Sequence, residues 1–186
     1  MTQTVRLSEL LRPAYFHRLL LALYGADLMP AQLPVLVSQW SKYYFSMFWR
    51  EAVSARCAGR GLALPGNVGV SLDERGLPLA FEPMDAGSED LQGLLEQHLA
   101  PLIQQLAALG SVSVAVLWGN AGDCLEQCLQ ALEVDLVEAR DLLDRPGGPL
   151  FAAVSYDANG LRRRRTCCLS YKVAWVGHCA HCPLNP

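Results

Sequence analysis

Residues 34–51 read PVLVSQWSKYYFSMFWRE, a stretch that predicts a helix rich in aromatic side chains. Pro34 suits the first turn of a helix, where its missing N–H costs nothing. Apolar side chains then recur at spacings of three and four residues until Glu51 breaks the stripe, which is the period of an amphipathic helix. The repeating positions are Leu36, Trp40, Tyr43, Tyr44 and Met47.

Six aromatic side chains fall between residues 40 and 49 of this helix. Aromatic rings supply large buried areas, so a helix facing the core is the first interpretation. The alternative is that some of them line a pocket for an extended organic ligand. The candidates for such a pocket are Trp40, Tyr43 and Tyr44.

The flanking segments predict further short elements. Residues 14–24 form a second apolar helix that stops at Gly25, a residue suited to the position after a helix. Residues 67–72 and 77–82 are extended runs around Asp-Glu-Arg-Gly at 73–76, which is typical of a β-hairpin. These patterns predict an α+β fold, mostly helical, with one small antiparallel β-sheet at 67–82.

The second half of the chain also predicts helices separated by short loops and strands. Ser88 is a candidate N-cap for a helix that runs to Leu109, with Pro101 bending or dividing it. Residues 112–117 are ambiguous between helix and strand. The remaining predictions are a break at Trp118-Gly119-Asn120, a helix over 123–133, a loop over 144–149 and a strand over 151–156 that turns at Asn159-Gly160.

Composition predicts one globular domain spanning residues 1–186. The chain is 52% hydrophobic and 18% charged, and its net charge of −3 gives no attraction to nucleic acid. The longest uncharged stretch, 97–122, is interrupted by polar residues and glycine, so it predicts a buried helix instead of a membrane span. No secretory leader is evident, and seven cysteines, four of them clustered, favour a reducing compartment. We expect a cytoplasmic protein, with peripheral attachment to the inner face of a membrane left open.

Four cysteines lie in one sixteen-residue window, as Cys167-Cys168, ten further residues, and Cys179-x-x-Cys182. Thiolates without neighbouring carboxylates suit zinc or an iron–sulfur cluster and do not suit a hard cation. Zinc sites usually use two Cys-x2-4-Cys knuckles, which an adjacent pair fits poorly. A structural zinc site therefore remains the alternative to an iron–sulfur cluster.

The run RRTCCLSY at 164–171, followed by CAHCPL at 179–184, resembles the C-terminal signature of the FhuF-type ferric-siderophore reductases. Weaker likeness extends to QWSKYY at 39–44 and LWGN at 117–120, where Trp118 and Asn120 match without an evident chemical role. The resemblance implies that residues 162–186, here called the C-terminal segment, bind a [2Fe-2S] cluster within a single FhuF-like domain. The ligands that it implies are Cys167, Cys168, Cys179 and Cys182.

The resemblance also implies an oxidoreductase that takes one electron to a ferric siderophore, of hydroxamate type, and releases ferrous iron. No Gly-x-Gly-x-x-Gly after a predicted strand and no phosphate-binding loop is present, so the electron comes from outside, for example from a ferredoxin, a flavodoxin or a reductase. The chain is shorter than typical members, which leaves open whether its substrate site is complete. An electron carrier or redox sensor without a chelate site is the main alternative, and a zinc-stapled protein without redox activity is another.

Arg162 to Arg165 form the one dense run of charge, directly before the first cysteine pair. A strand sends alternate side chains to opposite faces, so at most two arginines face the metal. We expect Arg164 and Arg165 to tune the cluster or dock a partner, and Arg162 and Arg163 to be plain surface.

The histidines beside Cys179 and the other cysteines have simpler expected roles. His178 and His181 are either surface residues or donors of an N–H to sulfur, and His181 is the candidate for cluster tuning. The remaining cysteines, Cys57, Cys124 and Cys128, are expected to be inert.

Overall fold

The computed structural model describes residues 3–28, 32–64, 66–82, 86–87, 90–173 and 176–185. Its α-helices are α1 (Leu7–Leu10), α2 (Pro13–Tyr24), α3 (Leu33–Cys57), α4 (Leu91–Leu94), α5 (Ala100–Gly110), α6 (Val114–Leu132) and α7 (Val137–Asp144). Its strands are β1 (Gln3–Arg6), β2 (Gly61–Leu62), β3 (Gly69–Leu72), β4 (Pro78–Phe81), β5 (Ala86–Gly87), β6 (Val154–Tyr156) and β7 (Arg162–Arg164). The mostly helical α+β prediction is confirmed.

Helix α3 is the central element, and its aromatic side chains form much of the core. Five of the six aromatics between residues 40 and 49 are fully buried, and only Tyr43, at 48% exposure, reaches solvent. The Trp49 indole N–H donates to the Ala121 carbonyl of α6 (2.8 Å), so the buried ring keeps a hydrogen bond. The core interpretation is therefore confirmed for Trp40 and Tyr44, and their alternative assignment to a pocket is wrong.

Helix α6 packs along α3 and runs unbroken through Trp118, Gly119 and Asn120, so the predicted break there is wrong. Its N-cap is Ser113, whose Oγ accepts from the Ala115 N–H (3.3 Å), and this settles the ambiguous stretch as helix. The Asn120 side chain bonds to α3 instead of its own backbone, which removes its usual competition with helix formation.

The hairpin predicted at 67–82 is confirmed as β3 and β4. Gly76 closes the turn with φ +91°, and the Asp73 carboxylate accepts from the Leu77 N–H (2.8 Å). Strand β1 pairs antiparallel with β3, giving the order β1-β3-β4. That third strand was not predicted, and neither was the small sheet of β2 and β5.

The helical stretch before Gly110 changes its period where proline enters it. A π-helical turn over Leu95–Leu99 immediately precedes α5, whose second residue is Pro101. Proline lacks the N–H of a regular helical bond and its ring crowds the preceding turn, so the helix widens there. The prediction was that Pro101 bends or divides the helix, and the structure shows a change of helical period just before it. The start of this stretch is capped by Asp90, which accepts from the Gly93 N–H (2.7 Å). The predicted N-cap, Ser88, lies outside the described residues.

The π-helical turn carries a histidine into the core. His98 is 3% exposed, and its Nε2 lies 2.8 Å from the Tyr44 hydroxyl. Its ring stacks on Phe48 with centroids 5.6 Å apart. Burial lowers the pKa of His98 to about 4, so the ring is neutral in the folded protein at neutral pH.

Throughout the part of the chain that the structure describes, every helix is too short or too polar to cross a lipid bilayer.

Candidate metal centre

Strand β7 turns two arginines inward and one outward, and the arginine that follows the strand, Arg165, is also outward. The strand pairs antiparallel with β6 across the turn predicted at Asn159-Gly160. Arg162 and Arg164 are 7% and 4% exposed, whereas Arg165 is exposed and donates to the Phe151 carbonyl (2.8 Å). The alternation of a strand was therefore predicted correctly, but Arg162 is not the surface residue that we expected.

One buried carboxylate receives both inward guanidinium groups. Asp123 of α6 is 4% exposed and lies 2.7 Å from Arg162 Nη2 and 3.5 Å from Arg164 Nε. Two positive charges thus meet one negative charge inside the protein. The unbalanced positive charge favours anionic groups nearby, such as thiolates.

Asn120 links this charged group to helix α3. Its side-chain N–H groups donate to the Ser38 carbonyl (2.9 Å), the Ser38 hydroxyl (3.0 Å) and the Ser41 hydroxyl (3.1 Å). Its Oδ1 accepts from Arg164 Nη2. Asn120 therefore holds β7 against α3, which gives this family-matched residue a structural role. Trp118 is only half-buried against the core.

The first cysteine pair is anchored to the same helix. The Cys168 carbonyl accepts from the Ser38 hydroxyl and from Gln39 Nε2, both at 2.8 Å. The C-terminal segment can lie close to α6 because Gly119 has no side chain. A Cβ at this position would lie 1.7 Å from Thr166 Oγ1. These contacts fix the backbone on which Cys167 and Cys168 are carried.

The four cysteines of the C-terminal segment meet as two pairs of free thiols. The thiol of Cys167 neighbours that of Cys182, and the thiol of Cys168 neighbours that of Cys179. Cys168 and Cys182 are buried, and the other two are partly exposed. Across the described ranges, no three or more Cys, His, Asp or Glu side chains converge on a point where one metal ion would sit.

The surroundings lower the pKa of Cys168 and raise that of Cys167 and Cys179. Burial raises the pKa of Cys168, but a hydrogen bond with Ser170 and the charges of Lys42 and Arg164 outweigh it and lower the pKa to about 7. Burial, followed by the neighbouring Cys168, raises the pKa of Cys179 to about 11. Burial also raises the pKa of Cys167. A thiolate at Cys168 is thus readily formed, as metal binding requires.

Backbone and side-chain groups surround the sulfur atoms. The Leu169 N–H donates to Cys167 Sγ (3.4 Å), which requires Leu169 to adopt φ +66°. His178 Nδ1 lies 3.3 Å from Cys182 Sγ, and its ring stacks on Tyr171. His181, the expected tuning residue, instead places Nδ1 3.2 Å from the Arg162 carbonyl. His178 is therefore the histidine at the sulfur atoms.

This donor set fits a two-iron cluster. An all-cysteine [2Fe-2S] cluster takes four thiolates, two at each iron, and hydrogen bonds to the sulfurs are a usual part of such sites. The structure supplies two neighbouring thiol pairs, an N–H donor at Cys167 and an imidazole at Cys182. The residues that would hold the cluster are Cys167, Cys168, Cys179 and Cys182.

A groove lies between α3, α6 and strand β4; we call it the α3–α6 groove. Its volume is about 420 Å³, and Tyr43, the exposed aromatic of α3, lines it. Cys124 and Cys128 line it as well, the first buried and the second half-buried, and burial raises the pKa of each thiol to about 11. The raised pKa values agree with the expectation that Cys124 and Cys128 are inert. Cys57 was expected to be inert as well, and it is exposed.

Sequence reasoning missed several residues of the site. Asp123, Ser38 and Gln39 all contact the C-terminal segment, yet none carries a metal-ligand pattern. A usable signal was the strand itself, because an inward-facing arginine requires a buried acid or carbonyl partner. The partner is 39 residues away, and only the fold identifies it.

Comparisons with known proteins agree with this geometry. Residues 38–166 match the family described as "Ferric iron reductase FhuF-like transporter", and residues 164–184 match the "FhuF 2Fe-2S C-terminal domain". A protein described as a ferric siderophore reductase, from Escherichia coli (strain K12), is 29% identical over 107 residues. That match covers 51% of this chain and 40% of the relative, so the chain spans about two fifths of the relative's length.

Proposed function

The chain belongs to the FhuF-like ferric iron reductase family, and from that premise we propose that it reduces iron held in a ferric siderophore, with Cys167, Cys168, Cys179 and Cys182 as ligands of a [2Fe-2S] cluster. The observation that carries the proposal is the meeting of four free thiols as two neighbouring pairs. When bound, such a cluster supplies one-electron transfer.

The buried residues around the thiols would set how easily the site accepts negative charge. The charge of Arg164 acts on Cys168 and Cys179. Among the described residues, its ion-pair partner is Asp123, which it shares with Arg162. Added negative charge at the sulfur ligands is stabilised by this excess positive charge and by the donors at Cys167 and Cys182. Arg164 is thus the tuning residue in this proposal.

The reaction needs no nucleophile and no general base. Chelated Fe(III) gains one electron, the donor loses one, and no bond within the organic chelator breaks. The oxygen cage of a siderophore binds Fe(II) much less tightly because the charge on the metal is lower. Ferrous iron then leaves to other ligands.

The outward face of the C-terminal segment would receive the electron donor. Residues 161–185 contain no aspartate or glutamate, in a chain whose net charge is −3. Of their five arginines and lysines, Arg162 and Arg164 are buried, which leaves Arg163, Arg165 and Lys172 to face solvent. Arg165 and Lys172 are exposed. Complementary charge speeds encounters between proteins, so we expect an acidic carrier such as a flavodoxin or ferredoxin. A cytoplasmic location fits the seven free thiols.

Anaerobic spectroscopy tests the function. Protein purified without oxygen should contain two irons and two labile sulfides and show the visible absorption of a [2Fe-2S] cluster. After reduction with dithionite and removal of the excess, ferric ferrichrome should reoxidise it and release Fe(II) to a ferrous chelator. The gallium(III) complex, which cannot be reduced under these conditions, is the matched control. Reoxidation by neither ferric hydroxamates nor ferric catecholates would contradict the proposal.

A further inference from the structure

The loop between the two cysteine pairs is folded back on itself by hydrogen bonds. The Ser170 hydroxyl donates to the Gly177 carbonyl (3.0 Å), and the Val173 N–H donates to the Ser170 carbonyl (3.0 Å). Gly177 adopts φ +66°, a left-handed conformation that glycine accepts without strain. These bonds hold the loop in a shape that brings residue 171 against residue 178.

An exposed aromatic pair lies on the outside of this loop. The rings of Tyr171 and His178 stack with their centroids 5.3 Å apart and their planes at 17° to each other. Tyr171 is 38% exposed, and His178 is exposed as well. Stacked rings attract each other beyond the area that they bury, so the tyrosine favours one orientation of the imidazole. Tyr171 therefore positions the His178 ring.

His178 connects this surface to a buried sulfur atom. Its Nδ1 lies 3.3 Å from Cys182 Sγ, although Cys182 is only 2% exposed. The rate of electron transfer falls steeply with distance, so a buried ligand is best reached through a group that contacts both solvent and sulfur. The stacked pair provides such a contact from the protein surface to one of the four cysteines.

The surface around the pair combines apolar side chains with positive charge. Val176 is 52% exposed, and Lys172, next to Tyr171 in sequence, is exposed. Protein interfaces are enriched in tyrosine and place polar residues at the rim, and weak redox complexes use small interfaces. We call Tyr171, Lys172, Val176 and His178 the docking patch.

The charge of the C-terminal segment favours an acidic protein over an anionic membrane as the partner of this patch. Lipid recognition by charge uses clusters of about four to eight lysines and arginines. Only Arg163, Arg165 and Lys172 face solvent among residues 161–185, which also contain no acidic residue. Steering of an acidic protein requires complementary charge but no such cluster.

We propose that an acidic one-electron carrier docks on the docking patch, and that the electron reaches Cys182 through the His178 ring. The reduced carrier loses one electron and the metal centre gains one, while no bond forms or breaks. This inference rests on the proposed reductase function and adds the contact through which the electron arrives. Tyr171 acts through His178 and is a positioning residue.

Stopped-flow reduction of the anaerobic holoprotein by reduced flavodoxin tests the proposal. Tyr171→Leu removes the ring but keeps an apolar side chain, so reduction by flavodoxin should slow by at least about tenfold. Tyr171→Phe keeps the ring and should retain the wild-type rate. Reduction by dithionite, a small reagent that needs no docking surface, should be unchanged in both variants.

Tyr156→Leu is the matched control for the loss of an exposed tyrosine. Tyr156 of β6 is 50% exposed, and its hydroxyl donates to Glu126 of α6 (2.9 Å) instead of contacting the cysteine loop. Its replacement should leave the rate of reduction by flavodoxin unchanged. Visible absorption and circular dichroism verify that each variant is folded and loaded.

Two further measurements separate docking from electron transfer. Calorimetry with oxidised flavodoxin at low salt should show at least about threefold weaker binding by Tyr171→Leu than by the wild type. His178→Ala removes the group at Cys182 Sγ, so the ratio of its flavodoxin rate to its dithionite rate should fall by at least about tenfold. The ratio is used because a change in reduction potential affects both reductants.

The outcomes separate this inference from the function on which it rests. Wild-type rates with flavodoxin in both Tyr171→Leu and His178→Ala would exclude the docking patch and leave the reductase function intact. Binding to vesicles of phosphatidylglycerol and phosphatidylethanolamine that Tyr171→Leu abolishes, without binding of flavodoxin, would assign the patch to a membrane and overturn the proposal. Absence of reoxidation by any ferric chelate would instead refute the function itself.

Discussion

Arg164 is a buried residue whose charge affects two of the four cysteines, Cys168 and Cys179. We expect Arg164→Gln to lower the reduction potential by roughly 50 mV, about 1 kcal/mol for one electron, because a buried positive charge near the thiolates is lost. Asp123 stays paired with Arg162 in this variant, so no buried acid is left alone. Potentiometric titration followed by electron paramagnetic resonance measures the shift.

Arg163→Gln provides the comparison for this shift. Arg163 lies on the outward face of β7 and donates to the Asn185 carbonyl (2.8 Å). Its replacement should move the potential by much less than that of Arg164. Equal shifts in the two variants would mean that net charge, not the inward position, sets the potential.

Residue identity indicated the candidate ligands but not their surroundings. Cysteine spacing indicated the four thiols directly, since few roles other than metal binding use such a pattern. The buried partners, above all Asp123, could not be predicted because an aspartate on a helix is usually solvated. Its role depends on two arginines that the fold brings from another strand.

At the level of elements, the contact between α6 and the C-terminal segment depends on Gly119. Gly119→Ala would place a methyl group 1.7 Å from Thr166 Oγ1, one residue before the first cysteine, so the segment must shift. We expect the variant to lose iron at least several times faster than the wild type during incubation with a chelator. Iron content and visible absorption over time measure this loss.

Two further variants identify the cause. Thr166 Oγ1 is buried and bonds nothing within the described residues, so Thr166→Ala removes the 1.7 Å clash at little cost and leaves a tight contact of 3.0 Å to the Cβ of residue 166. The double variant Gly119→Ala, Thr166→Ala should regain much of the iron retention. Gly66→Ala, where an added Cβ meets no atom within 4 Å, should behave like the wild type. A Gly119→Ala protein with normal retention would show that the contact is dispensable.

Local patterns predicted elements well where the side chains themselves determine them. The α3 period and the hairpin glycine at residue 76 gave correct elements. The predicted break in α6 was wrong because Gly119 and Asn120 serve a neighbouring segment rather than a turn. Strand β1 escaped prediction because its four residues become a strand only by pairing with β3.

The stability of the whole molecule should fall in mild acid because of His98. Burial lowers its pKa to about 4, while an unfolded histidine has a pKa near 6.5, so only the unfolded state takes up a proton between these values. Its contribution is constant above pH 6.5 and is lost as the pH falls toward 4. We expect about 2 kcal/mol less free energy of unfolding at pH 5 than at pH 7.5.

Urea denaturation of wild type and His98→Gln at both pH values measures this effect. The variant is less stable at neutral pH, but it should lack this part of the pH dependence. Any acid lability of the metal centre affects both proteins and cancels in the comparison. If the free energy of unfolding falls by the same amount between pH 7.5 and pH 5 in both proteins, His98 is not the responsible group.

The uneven charge of the molecule should also govern its encounter with a donor. Arg165→Glu should slow reduction by flavodoxin about tenfold at low salt, because the encounter with an acidic protein depends on the positive charge of this exposed surface. Reduction by dithionite does not require that encounter and should be unchanged. Stopped-flow absorbance follows both reactions. Arg60→Glu is the control, since it lies beyond the C-terminal end of α3, far along the helix from Ser38. Equal slowing in both variants would indicate a general charge effect.

For the whole molecule, the composition and the cysteine spacing could indicate the fold class and the kind of metal site, but not how the elements pack together. The prediction of one domain over residues 1–186 remains a prediction. How the C-terminal segment lies against α3 and α6 could not be inferred, because its contacts with α6 join residues 39 and 44 positions apart and its contact with Ser38 of α3 spans 130 positions.

The hydrogen bond between Ser38 and the Cys168 carbonyl joins residues 130 positions apart. During synthesis, therefore, the early helix leaves the ribosome long before its partner exists, and proteins fold broadly from the N-terminus as they emerge. In the proposed holoprotein, iron and sulfide would be inserted only after residues 167–182 have been synthesised, and so later than α3 can fold. An assembly factor that delivers them would encounter helices that have already folded and a cysteine segment that has not yet packed against them.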